Sequence, residues 1–383
     1  MTMTPRVAHY VSQIPATVEI TDTVSVETVL GHLASLGQRI PSAELESGLR
    51  VSLVHFALPS TSRVRAIRAV LEDLALRLEV HSVRLRTNVR KGKVTLEIAH
   101  EAPADMAVSL GDIIGGAADV EGFLLPWAIG LTADGASLLV DVSEAPHVLI
   151  GGQTGSGKSS HLQSLVLSLA VGTTPEECEL CFVDPKRVDL YPFRHLPQVR
   201  RPVATSIADT AALLTYLEEE IAFRFEELQR AGAGDIGDYN GWALVTPGEA
   251  VLSRIVVVID ELASVVAGKE GAVIGERLTA LAQISRAAGV HLVCATQRPS
   301  AAALPTQLRS QLTTRVACRM ATAADSRMVL GQPGAETLLG AGDSLVQWGG
   351  AEAERLQGTY IDTRWREWLT EAVRFAWAQE EEG

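Results

Sequence analysis

The stretch HVLIGGQTGSGKSS, His147 to Ser160, decides how the rest of the chain is read. Val148, Leu149 and Ile150 form an apolar run of the kind that makes a short buried strand. The glycines that follow permit a tight turn, and HLQSLVLSLA then carries apolar residues at helical spacing. The order is strand, loop, helix. Gly152, Gly157, Lys158 and Ser159 fit G-x-x-x-x-G-K-[ST], the nucleotide-binding P-loop. Across Gly152, Gln153, Thr154, Gly155, Ser156, Gly157, Lys158, Ser159 and Ser160, backbone N–H groups can curl round phosphate oxygens at a helix N-terminus that favours an anion. Lys158 is expected to reach the β- and γ-phosphates of ATP, and the Ser159 hydroxyl to hold Mg²⁺.

With 383 residues the chain is long enough for two domains, because a single core stops growing before that length. Hydrophobic residues at 47% and charged residues at 21% describe a globular protein with a large core, not a disordered one. No run approaches the ~20 apolar residues of a membrane span, and MTMTPRVAHY lacks the apolar segment of a secretory signal. A cytoplasmic protein is expected, with a membrane-bound partner admitted as a recruiter. Cys178 and Cys181 form CELC without the second pair of a structural zinc site, and Cys294 and Cys318 stand alone in apolar runs. All four are read as reduced packing residues. The net charge of −13 argues against nucleic acid, but its distribution matters more than its sum. From Arg63 to Lys93, nine basic residues face three acidic ones, a local positive region on an acidic protein.

Residues 1 to 20 read as an N-terminal arm, and 21 to 118 as a small mixed α+β domain. There SVETVLGHLASLGQRI and SRVRAIRAVLEDLALRL look helical, while GLRVSLVHFALP, HSVRLRTNVR and KVTLEIAH look like strands. Arg90, Lys91, Gly92 and Lys93 suggest a charged hairpin turn. From about Phe123 strands and helices alternate as in an α/β parallel sheet, with HVLIGG, ELCFVDP, RIVVVID, HLVCATQ, TRVACRM and DSLVQW as strands. This second domain is placed at 119 to 370, with an acidic tail at 371 to 383. Ala231 to Ser253, with five glycines and Pro247, is expected to be a loop.

RIVVVIDE, Arg254 to Glu261, is an apolar strand ending in two carboxylates. Asp260 is positioned to hold Mg²⁺ together with Ser159, and Glu261 to orient and deprotonate the attacking water, which points to hydrolysis. Gln297 ends the next apolar strand and can sense the γ-phosphate or the water. Beyond it, Arg298, Arg309 and Arg315 are candidates for an arginine supplied to a neighbouring subunit's site.

In this order, APHVLIGGQTGSGKSS, CFVDPKRVDLYPF, VVVIDELA, LAQISRAAGVHLVCATQRPS, LTTRVACRMATAADSRMVLGQPGAETLLGAGDSLV and RLQGTYI resemble the FtsK/SpoIIIE family of double-stranded DNA translocases, within the FtsK-HerA group of P-loop ATPases. The resemblance covers about Pro146 to Ile361, and a weaker one covers Gly48 to Ile114. It implies a RecA-like motor domain in a homo-oligomeric, hexameric ring, a smaller domain stacked as a second tier, duplex DNA in the channel, and ATP between subunits. It matches Gly152 to Ser159 as phosphate loop, Asp260 and Glu261 as the carboxylates and Gln297 as the sensor; the trans arginine falls on Arg315, with Arg298 second. Lys186 and Arg187 fit a strand-end motif whose direction stays open.

With no membrane-spanning N-terminus and about 20 residues after RLQGTYI, a stand-alone motor is expected, of the kind that conjugative or mobile elements use. The leading reading is an ATP-driven duplex translocase. Alternatives are a related secretion ATPase moving polypeptide and an ATP-gated DNA clamp, the latter disfavoured by Glu261.

Overall fold

The computed structural model describes residues 24–48, 50–87, 89–100, 108–116, 122–145 and 147–381. The expected arm over 1 to 20 and the boundary at 118 lie outside them. The first unit begins with α1 (Val26–Ser35), capped by the Ser25 hydroxyl accepting from Thr28 N. It continues through β1 (Glu44–Ser47), β2 (Val51–Phe56), α2 (Val64–Arg68), α3 (Leu71–Arg77), β3 (Ser82–Arg86) and β4 (Val94–Ala99). The four strands pair antiparallel in the order β1-β2-β4-β3. Val54 and Phe56 of β2, with Leu96 and Ile98 of β4, turn toward Val29, Leu33, Ile67 and Leu74 of the helices, while the alternating residues on the other face of these two central strands are buried as well.

The second unit opens with α4 (Leu110–Gly116), β5 (Pro126–Thr132), β6 (Ser137–Asp141), β7 (His147–Gly151) and α5 (Lys158–Gly172). Then come β8 (Cys178–Val183), α6 (Ile207–Ala231), α7 (Ile236–Val245), β9 (Arg254–Ile259), α8 (Leu262–Val265), α9 (Gly268–Ile284), β10 (Val290–Thr296) and α10 (Thr306–Gln311). The chain finishes with β11 (Thr314–Cys318), α11 (Ala323–Leu330), β12 (Asp343–Gln347), β13 (Glu354–Gly358) and α12 (Thr363–Glu381). Nine strands form one sheet in the order β6-β5-β13-β12-β11-β7-β10-β9-β8.

The expected parallel sheet is half of this one. From β11 to β8 every neighbour is parallel, whereas β12, β13, β5 and β6 add antiparallel pairs on the other side. DSLVQW therefore runs against TRVACRM: the connection through α11 returns the chain beside β11 in the opposite direction. The strands β7 to β10 carry continuous apolar runs because helices cover both faces. On one face α5 is buried almost all round, with the Trp127 indole N–H donating to Ser164 Oγ at 2.9 Å. The α12 helix covers it as well, through Leu369, Val373 and Ala376, so residues 371 to 381 continue a packed helix. The α4 residues Leu110, Ile113 and Ile114 also join this core, not that of the small sheet.

The glycine-rich 231–253 segment is not a plain loop. Asp235 accepts from Gly237 N and Asp238 N and starts α7, whose Tyr239 and Ala243 pack on Leu228. The four cysteines are free and buried, and burial pushes the thiols of Cys178, Cys294 and Cys318 up to about 12. No described helix is long and apolar enough to cross a membrane.

Candidate functional site

Because β7 to β11 run parallel in close register, their C-terminal ends open onto one edge, where ligands bind in open α/β sheets. Gly152 leaves β7 there, Asp184 leaves β8, Asp260 leaves β9 and Gln297 leaves β10. The phosphate loop is tied to its neighbours: Gly152 N donates to Thr296 O at 3.2 Å and Gln153 N to Arg319 O at 3.0 Å. Its far side meets residues 340–342, where Gly342 N donates to Ser156 O at 2.9 Å. Gly157 has φ +111°, and a Cβ there would sit 2.5 Å from Gly342 N, so no other residue fits. A cavity of about 320 Å³ opens above the loop, lined by Thr154, Lys158, Ser159, Gln297, Gly342 and Tyr360 among others. A larger one of about 690 Å³, between α9 and residues 300–307, carries no cationic side chain to meet a phosphate.

Lys158 and Asp260 meet beneath the loop. Lys158 Nζ lies 2.6 Å from Asp260 Oδ1 and 2.8 Å from Asp260 O, both residues being buried. Asp260 Oδ2 is buried with no hydrogen-bond partner. Ser159 Oγ donates to Asp189 Oδ2 at 2.9 Å. Asp189 stands there because buried Asp184 accepts from Leu190 N and Tyr191 N, both at 3.0 Å, folding the strand-end turn back on itself. Burial, and after it the Asp260 carboxylate, raises the Asp189 carboxyl above its ordinary value.

Glu261 is 5% exposed and held in place. Thr296 Oγ1 donates to its Oε1 at 2.7 Å, and Gln297 N approaches both carboxylate oxygens at 3.2 and 3.1 Å. The Thr154 hydroxyl lies 3.4 Å from Gln297 Oε1, which ties loop and strand end together. Lys186 Nζ comes within 3.8 Å of Glu261 Oε2, while Arg187 turns away to Thr205 Oγ1 at 3.1 Å.

Lys158, Ser159, Asp260, Glu261 and Gln297 thus converge. The arginines do not join them: Arg298 is exposed, and Arg315, at the start of β11, donates to Leu312 O and Arg309 O at 3.1 and 3.3 Å. The basic excess from Arg63 to Lys93 is partly cancelled. Arg84 and Arg86 pair with buried Glu97, Arg90 with Glu44 and Glu46, and Lys93 with Glu44. Asp189, the 340–342 loop and Tyr360 escaped the reading of the sequence. Asp189 lies in the DPKRVD turn already singled out for Lys186 and Arg187, and its acidic end was the available signal.

Among the described residues no group of three or more His, Cys, Asp or Glu is arranged to hold a metal. Mg²⁺ takes one or two carboxylates and completes its shell with phosphate and water. The free oxygen of Asp260 beside Ser159 and Asp189 fits such an ion.

Phosphate loop, strand-end carboxylates and sheet order define a P-loop ATPase of α/β fold. Residues 113–301 match the FtsK/SpoIIIE family model, so the chain carries a domain of the FtsK/SpoIIIE family. It is 35% identical over 327 residues to a DNA translocase FtsK of Corynebacterium efficiens, covering 82% of this chain and 34% of the relative. The relative of the same name from Chlamydia trachomatis is 32% identical over 340 residues, covering 86% and 42%. The chain therefore spans between about a third and two fifths of the length of these relatives. Among solved structures, the conjugation coupling protein TcpA, in a monomer form with ATPγS, superposes with a TM-score of 0.64 at 23% identity, covering 92% of this chain and 99% of TcpA. The cytoplasmic domain of the type VII secretion ATPase EccC of Thermomonospora curvata gives 0.60 at 24% identity, covering 70% and 34%. These two likenesses concern the fold.

Proposed function

We propose that this chain is an ATP-hydrolysing motor that moves double-stranded DNA, working as a ring-shaped homo-oligomer in the transfer of conjugative or other mobile DNA. The observation that carries the reading is Glu261, a buried carboxylate beside the phosphate loop, fixed by Thr296 and Gln297 where an attacking water must be oriented. A switch without turnover has no use for it. The name of the relatives, DNA translocase FtsK, supports DNA as the substrate, and the conjugative setting is part of the proposal.

On this reading Lys158 exchanges Asp260 for the β- and γ-phosphates, and the amides of residues 152–159 wrap them. Ser159 and Asp260 would hold Mg²⁺, which when bound would neutralise charge on the phosphate oxygens. Glu261 takes the proton of the water, and Gln297 links that event to the loop through Thr154. Arg315, with Arg298 as the second choice, completes the site of the adjacent subunit. Its present partners are backbone carbonyls, which it can leave without breaking an ion pair. Duplex DNA is held through its phosphates, so binding weakens steeply with salt. The motor works in the cytoplasm, where a membrane-bound partner can recruit it.

Steady-state ATP turnover with linear duplex, single-stranded DNA or neither tests this. Stimulation by duplex that fades as salt rises is the expected result. Turnover indifferent to both nucleic acids refutes the DNA reading and turns attention to polypeptide as the cargo.

A further inference from the structure

We infer that Asp189 is a second carboxylate of the Mg²⁺ site, a positioning residue that accepts the hydrogen bond of the Ser159 hydroxyl and, through water, steadies the ion that Ser159 and Asp260 would hold. The inference rests on the ATPase reading above and extends it to a residue outside the phosphate loop and the strand-end pair.

Three observations carry it. Ser159 Oγ already donates to Asp189 Oδ2 at 2.9 Å. A serine that binds a cation through its oxygen lone pair must send its hydrogen elsewhere, and this acceptor is in place. Asp260 Oδ2 is fully buried and lacks a hydrogen-bond partner, although its carboxylate lies against that of Asp189. Such an oxygen is costly unless a donor or cation completes it. The charge count points the same way. Two neighbouring carboxylates share one cation, Lys158, which sits on Asp260 Oδ1. When Lys158 turns to phosphate, the pair is left with two negative charges in a partly buried place, and a divalent cation balances them.

The turn that delivers Asp189 is built for the purpose. Asp184 spends one carboxylate oxygen on two backbone amides, Leu190 N and Tyr191 N. Arg187 accepts a left-handed φ of +58°, which few residues other than glycine adopt. The result is a fixed reach from the end of β8 across to the first turn of α5.

The test uses the full chain with Asp189→Asn and Asp189→Glu. Binding of a fluorescent ADP analogue is measured without metal and then titrated with Mg²⁺, and Mn²⁺ uptake in the nucleotide complex is followed by electron paramagnetic resonance. Asp189→Asn is expected to leave metal-free nucleotide affinity within about twofold and to raise half-saturating Mg²⁺ by about tenfold or more, the usual effect of losing an outer partner of a metal ligand. Asp189→Glu keeps a carboxylate and should recover much of the loss. Unchanged Mg²⁺ dependence in Asp189→Asn overturns the inference, as does an equal loss of nucleotide affinity with and without metal, which would make Asp189 a prop of the loop. Failure of the parent chain to bind the analogue at all overturns the ATPase reading itself, a distinct outcome seen before any variant is compared.

Discussion

Two buried ion pairs, one between β12 and β13 and one beneath the phosphate loop, are built differently. Between β12 and β13, Arg355 Nε and Nη2 donate to Asp343 Oδ1 and Oδ2 at 2.8 and 2.6 Å, and Leu339 N adds a third bond at 2.7 Å. Both oxygens of Asp343 are satisfied. Below the phosphate loop, Lys158 meets one oxygen of Asp260 and leaves the other bare. A forked guanidinium matches a carboxylate with two parallel bonds, whereas an ammonium on a flexible stem makes a point contact that it can leave. One pair holds strands together; the other is open to a ligand.

Variants can break or sharpen this contrast. The largest effect belongs to the open side: Glu261→Gln should cut ATP turnover by about 10² to 10⁴ while nucleotide affinity stays within a few-fold, checked by coupled-assay kinetics and fluorescent nucleotide titration. Unaltered turnover would remove Glu261 from the role of base. On the closed side, Arg355→Ala strands a buried carboxylate and should cost about 3–5 kcal/mol in chemical denaturation. A loss below about 1 kcal/mol would show that this pair is as loose as the other.

His161 lies one turn beyond Lys158 in α5, with Nε2 3.1 Å from Ser344 Oγ, next in sequence to Asp343, and its ring edge-on to Trp127. Burial lowers it from 6.5 to about 4. Folded below its unfolded value, it contributes stability that is present above pH 6.5 and is lost as pH falls toward about 4. The loss should be of order 1–3 kcal/mol, and His161→Asn should flatten the fall in Tm over that window. A parallel fall in parent and variant would contradict the assignment. The smallest effect is again on the open side. Asp189 is raised by burial and by Asp260, so its charge opposes folding of the ligand-free chain. Asp189→Asn should therefore raise stability there by about 0.5 kcal/mol, discounted for its partial exposure, in calorimetry without metal.

How much of this was legible varies with how local the signal is. The strand, loop and helix around Lys158 follow from a contiguous pattern, and Asp260, Glu261 and Gln297 from their places at the tips of apolar strands. The antiparallel half of the sheet was harder. Its best hint is α5, whose HLQSLVLSLA carries no charged residue and is buried on nearly every side, which demands a cover beyond the sheet; β5 and α12 provide it. The 231–253 segment misled because glycines mask a helix that Asp235 starts and tertiary contacts with Leu228 hold. The partial cancelling of the basic stretch was hidden because Glu44 and Glu46 are distant in sequence and Glu97 lies just past its end, and strand pairing brings them close. Asp189 needed the fold of its turn.

The account stands most directly on movement along DNA. A duplex carrying a short third strand, incubated with the chain and ATP, reports translocation when that strand is displaced. Displacement that requires ATP hydrolysis, and vanishes in Glu261→Gln, is the result predicted. Displacement absent from the parent, with ATP turnover equal in the presence and absence of duplex, would contradict it.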